Sequence, residues 1–137
     1  MPAKDTYHDA LRNSLVKDGW TITDDPLHIV WAKKDFFIDL GAERMLAAEK
    51  GGRRIAVEVK SFMGASAVND LEKALGQFLL YQSILRRSDP DRALFLALPK
   101  GAAEVFDEPL GQALLEDYEV KVIIFDPKKE EITRWIP

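Results

Sequence analysis

The chain has 137 residues, 47% of them apolar and 31% charged, which is enough for one core and has the balance of an ordinary globular domain. Its net charge of −4 argues against indiscriminate coating of nucleic acid, although basic pairs at Lys33-Lys34, Arg53-Arg54, Arg86-Arg87 and Lys128-Lys129 leave room for a local groove. Cysteine is absent, which excludes disulfides and thiolate metal sites; without a leader or a membrane-length apolar stretch, the expectation is a cytoplasmic, nucleoid-associated protein with no membrane partner.

Tyr7, Ala10, Leu11 and Leu15 recur at helical spacing and predict a helix over Thr6 to Lys17, capped by Asp5 or Thr6 and ended by Gly19. Trp20 to Thr23 reads as extended, and Asp24-Asp25-Pro26 as a turn. His28 to Trp31 and Phe36 to Leu40 are expected as two short strands around a Lys33-Lys34-Asp35 turn. Met45 to Glu49 and Arg53 to Lys60 flank Gly51-Gly52 as a hairpin would, with helix as the competing reading for Ala42 to Lys50. Ala67 to Arg87 is the longest predicted helix, its buried stripe drawn through Val68, Leu71, Leu75, Phe78, Leu79, Gln82 and Leu85. A buried strand at Arg92 to Leu98, a short helix at Pro109 to Asp117, and strands at Val120 to Phe125 and Glu131 to Ile136 complete the order. One α/β domain spanning 1–137 follows, with a mixed β-sheet flanked by helices.

Three charges inside apolar strands carry the functional reading. In Ile55-Ala56-Val57-Glu58-Val59-Lys60-Ser61, alternation places Ala56, Glu58 and Lys60 on one face, about 6.5–7 Å apart. Asp39 interrupts Phe36-Phe37-Ile38-Asp39-Leu40, and if that strand pairs with its neighbour, Asp39 and Glu58 converge. Two convergent carboxylates form a hard oxygen site suited to Mg²⁺ or Mn²⁺, with the carbonyl of Val59 as a further ligand. Lys60 would then orient or deprotonate a water, or steady the charge on a phosphate under attack. The plainer alternative is a solvated sheet face with a weak Glu58–Lys60 pair. Ser61, directly after, and Gln77 with Tyr81, four apart on the long helix, tilt the balance toward a site. On the helix itself both readings stay open: a polar boundary, or Gln77 reaching the ion's water or the phosphate.

Taken together, Ile38-Asp39-Leu40, Val57-Glu58-Val59-Lys60-Ser61 and Gln77-x-x-x-Tyr81 resemble the PD-(D/E)xK nuclease superfamily. That resemblance implies a restriction-endonuclease-like core, metal binding by Asp39 and Glu58, Lys60 as catalytic lysine and Gln77 as auxiliary. A resemblance over nearly the whole chain is to the XisH family. It is carried by Asp18-Gly19-Trp20-Thr21-Ile22-Thr23, Asp39-Leu40-Gly41-Ala42-Glu43, Ile55 to Phe62, Ala74-Leu75-Gly76-Gln77 and the ending from Phe125-Asp126-Pro127 to Trp135-Ile136-Pro137.

The family implies a factor controlling excision of a DNA element, acting on DNA with an XisI-type partner. The first-helix glutamate of many superfamily members is replaced here by His8, read as a packed histidine bonded to a backbone carbonyl or, alternatively, as a ligand favouring Mn²⁺. Two functions therefore stand side by side: a metal-dependent endonuclease, and a non-catalytic accessory factor on a nuclease scaffold. An RNA-processing role is a third, weaker reading, and a homodimer is expected if two strands are cut.

Overall fold

Residues 6–28, 30–31, 34–35, 45–61 and 67–136 are described by the computed structural model. Helix α1 spans Thr6–Lys17, with Ala10, Leu11, Ser14 and Leu15 buried along one side. It ends in two hydrogen bonds, from Trp20 N to Leu15 O (2.9 Å) and from Gly19 N to Val16 O (3.0 Å). This is the double bond of a Schellman stop, and Trp20 and Leu15 complete it by entering the same apolar cluster.

Strand β1 (Thr21–Asp24) follows, then a two-stranded ribbon of β2 (Val30–Trp31) and β3 (Lys34–Asp35). Lys34 and Asp35 thus pair with Trp31 and Val30, where a wider turn was expected. The expected strand Phe36 to Leu40, with Asp39, lies outside the described residues.

The competing readings of residues 42–50 are decided over its described part in favour of strand. β4 (Met45–Lys50) and β5 (Arg53–Val59) form a hairpin whose two turn residues, Gly51 and Gly52, have φ of 56° and 83°. Leu46, Ala47 and Ala48 are fully buried between sheet neighbours, so tertiary burial overrides the helix propensity of that Ala-Glu-rich run.

Helix α2 (Ala67–Ser88) crosses over to β6 (Arg92–Pro99), which runs parallel to β5. Its buried stripe is Leu71, Ala74, Phe78, Tyr81, Ile84 and Leu85. Val68, expected inside, is 49% exposed, because the stripe turns about the Leu71–Phe78–Leu85 line toward Ala74 and Tyr81.

A 3₁₀ helix (Lys100–Phe106), not foreseen in the sequence, leads into α3 (Pro109–Tyr118). β7 (Val122–Asp126) lies parallel to β6, and β8 (Glu131–Ile136) closes the edge. The sheet order is β1-β4-β5-β6-β7-β8, with β5, β6 and β7 parallel at the centre. One core, with Ala56, Phe78 and Leu96, lies under α2; the other, with Leu11, Val57, Phe95 and Trp20, lies under α1.

Candidate active site at the end of the parallel strands

Open parallel sheets present their ligand sites at the carboxyl ends of the strands. There, Glu58 is fully buried, on the face of β5 that it shares with Ala56 toward α2. Its neighbours across the sheet are Met45 of β4 and Leu96 of β6. A carboxylate among such residues would be costly without a compensating charge.

Lys60 supplies that charge. Its backbone N–H continues the ladder to Ala97 O (2.9 Å), and its Nζ lies 3.5 Å from Glu58 Oε1. The same ammonium donates to Gln77 Oε1 of α2 at 2.5 Å. Its side chain is only 11% exposed, so the acid, the amine and the amide meet in a largely desolvated place. Glu58 and Lys60 are therefore brought together as their spacing predicts, and Gln77, for which two readings stood open, meets them from α2. The solvated-face alternative fails on burial.

The remaining candidates fall elsewhere. Asp39 lies outside the described residues. The pairing expected to carry it to Glu58 is corrected in one respect: at Glu58 both hydrogen-bonding sides of β5 are occupied, by β4 and β6. Val59 turns its side chain into the α1-side core, since it alternates with Glu58. Tyr81 is buried, at 2% exposure, in the α2-side core, where a tyrosine with its hydroxyl in solvent had been one reading.

His8 is packed at 2% exposure, but its partner is a carboxylate where a backbone carbonyl was expected. Its Nε2 lies 2.8 Å from Asp25 Oδ1, and Arg12 donates to Asp25 Oδ2 at 2.8 Å. That nitrogen is engaged on the α1 side of the sheet, away from the face that carries Glu58. His8 is thus not brought into the Glu58–Lys60–Gln77 cluster.

Two residues escaped the sequence reading. Lys100 and Asp126 follow the paired residues Pro99 and Phe125 of the parallel strands, and Lys100 Nζ donates to Asp126 Oδ2 at 2.9 Å. Asp126 Oδ1 also accepts from the backbone N–H of Lys128 (2.9 Å) and Lys129 (3.1 Å). The Lys100 hydrogen bond, followed by that of Lys129, lowers the Asp126 carboxyl from the usual range to about 2. An Asp-Pro-Lys-Lys turn hinted at the backbone bonds, but nothing local hinted at Lys100.

At the far end of the same strands, Arg54 grips Asp89 through two hydrogen bonds of 2.9 and 2.8 Å, and Arg92 adds a third at 3.0 Å. These bonds hold the Asp89 carboxyl below its ordinary value, although burial alone, the largest single influence, would raise it. The network staples the end of α2 to the starts of β5 and β6.

As donors for a cation, Glu58 carboxylate and backbone carbonyl oxygens suit a hard ion such as Mg²⁺ or Mn²⁺. Among the described residues no group of three or more acids or histidines gathers in ligating positions. The donor set fits such an ion in kind, and Asp39 is the residue the sequence offers to complete it.

A mixed α/β sheet with a buried acid–amine–amide cluster at the ends of its parallel strands is the class so defined. Within it, the chain belongs to the XisH family, whose model, described as XisH protein, matches residues 1–133. It is similar to the crystal structure of an XisH family protein from Nostoc punctiforme PCC 73102, at 38% identity and a TM-score of 0.87, over 97% of this chain and 100% of that one. It is equally similar to an fdxN element excision controlling factor protein from Anabaena variabilis, at 38% identity and a TM-score of 0.87, over 98% and 100% of the two chains. No curated protein matches. No helix among the described residues is long and apolar enough to cross a membrane.

Proposed function

We propose that this chain is an excision-controlling factor for a DNA element and acts as a divalent-metal-dependent endonuclease of the PD-(D/E)xK type, with a restriction-endonuclease-like core. The observation that carries the reading is the complete burial of Glu58 beside a lysine held from another element by Gln77. A structural ion pair has no need of this expensive arrangement, since apolar residues of the same volume are usually as stable. Strongly desolvated charge clusters at strand ends favour a functional site.

In this reading Asp39, Glu58 and the Val59 carbonyl hold Mg²⁺ or Mn²⁺. The ion's contribution is to acidify a bound water and offset phosphate charge. Lys60 presents its ammonium to the attacking water or to the anionic phosphate. Gln77 fixes that ammonium by accepting one of its three protons. Tyr81 and Ser61 are auxiliary, and His8 supports α1.

Purified protein incubated with supercoiled, branched and single-stranded DNA in Mg²⁺ or Mn²⁺ tests this. The expected result is cleavage that disappears in Glu58→Gln, Lys60→Ala and Asp39→Asn. Cleavage surviving all three would belong to a contaminant and end the proposal.

One observation favours a second reading, a non-catalytic accessory factor that binds DNA or an XisI-type partner. His8 stands where many superfamily members place a ligand glutamate, and it is committed to Asp25. In that case folded Glu58→Gln protein would still support excision in cells supplied with the partner.

A further inference from the structure

Beside the candidate site lies a cleft of about 350 Å³, lined by Tyr7, Ser61, Pro99, Lys100, Asp126 and Lys128, among others. It opens along the carboxyl ends of β5, β6 and β7. Ser61 directly follows Lys60, so the two places share an edge of the sheet while facing opposite sides of it, one toward α1 and one toward α2.

The cleft's charges are two ammonium groups and one carboxylate. The carboxylate is already committed, accepting from Lys100 and from two backbone N–H groups. Lys100 spends one of its three protons on Asp126 and is 60% exposed, which leaves two donors for a ligand. Lys128 is held by its backbone to Asp126 and presents a second exposed ammonium. Ser61 adds a neutral hydroxyl to the lining. The cleft thus has a surplus of donors over acceptors and an apolar wall of Tyr7 and Pro99. The Asp126 carboxyl, lowered to about 2 by its hydrogen bonds from Lys100 and the turn, stays ionised near neutrality. Such a lining suits an anion.

We infer that this cleft binds the backbone phosphate of a nucleic-acid strand next to the phosphate addressed by Lys60, and so sets the strand's register. The choice of a phosphodiester, as opposed to an acidic peptide, rests on the nuclease reading and on the shared edge at Lys60-Ser61. The protein's acidic balance fits: binding is confined to one groove, where Lys128 of a basic pair is turned to use.

Fluorescence anisotropy tests it, using the full chain and a labelled 12-mer as single strand and as duplex, in EDTA so that no cleavage occurs. The double variant Lys100→Gln/Lys128→Gln is expected to bind both about 5- to 20-fold more weakly. Its plot of log affinity against log salt should be shallower by about 1, the loss of one neutralised phosphate. Lys128→Gln alone leaves the Lys100–Asp126 pair in place and should show a smaller loss with an unchanged melting temperature. Arg86→Gln/Arg87→Gln removes the same charge at the far end of α2 and should change affinity less than twofold.

Unchanged affinity in both cleft variants, an equal loss in the α2 control, or no binding by the wild type each overturns the inference. It is likewise overturned if the double variant abolishes a thermal shift by inorganic phosphate yet retains oligonucleotide binding, because the cleft then serves a free anion. Wild-type protein that binds but never cuts would remove the nuclease reading and leave this subsite standing.

Discussion

Replacing Lys60 by methionine keeps the aliphatic stem and deletes the ammonium that lies 3.5 Å from Glu58. At that separation and an effective dielectric of about 20, the attraction is about 5 kcal/mol. Breaking a buried pair by removing one partner typically costs about 3–5 kcal/mol. Lys60 keeps an 11% opening to solvent, which places the expected loss at the lower end of that range, about 3 kcal/mol. The assay is urea denaturation at neutral pH for wild type, Lys60→Met, Glu58→Gln and the double variant. Glu58→Gln should cost less than Lys60→Met, since it removes the buried negative charge itself. The double variant should recover stability relative to the sum of the singles, with a coupling of about 2–3 kcal/mol. Raising salt should leave that coupling nearly intact, because buried pairs are poorly screened. A Lys60→Met protein within about 0.5 kcal/mol of wild type, with no coupling, would show that the pair is solvated and refute the reasoning.

Gly111→Ala should cost at least about 3 kcal/mol and lower the melting temperature by about 10 °C or more, because a Cβ there would sit 1.9 Å from Val105 O, in backbone that cannot step aside. A melt within a few degrees of wild type would contradict this. Asp126, whose carboxyl is lowered to about 2, contributes stability that is present above its unfolded value near 3.9 and is lost as pH falls through about 2. Asp126→Asn should therefore be less stable than wild type at neutral pH, with the gap closing between about pH 4 and 2 in acid titrations followed by circular dichroism. A gap independent of pH in that window would count against the Lys100 and turn hydrogen bonds as its source. His8→Ala should destabilise the fold by cutting the tie between α1 and Asp25, while metal-dependent cleavage per folded molecule stays at the wild-type rate. Loss of cleavage in a folded His8→Ala protein would return His8 to the site.

Local signals account for what could be read in advance. Leu11 and Leu15 with Gly19 marked α1 and its stop, Gly51-Gly52 marked the hairpin, and the alternation through Ile55 to Lys60 set Glu58 and Lys60 on one face. Gln77 was only half legible: its spacing from Tyr81 left a polar boundary and a site residue both open, and the bond from Lys60 is what brings it into the cluster. What escaped was long-range. The Lys100–Asp126 pair spans 26 residues and exists only because β6 and β7 lie parallel and in register. The His8–Asp25 bond spans 17 residues and depends on how the turn after β1 folds back on α1. The 3₁₀ helix (Lys100–Phe106) has too little periodicity to announce itself, and the buried stripe of α2 rotated away from Val68 because the sheet, not the helix, chose the face. The strand order placed β4 and β6 on either side of Glu58, which no local pattern specifies.

The most direct test of the central claim is anomalous diffraction from crystals soaked in Mn²⁺. The account predicts one strong peak with oxygens of both Glu58 and Asp39 about 2.0–2.6 Å away and Lys60 beside it. A saturating soak that leaves the Glu58 carboxylate without a peak, in crystals whose protein still binds DNA, would contradict it.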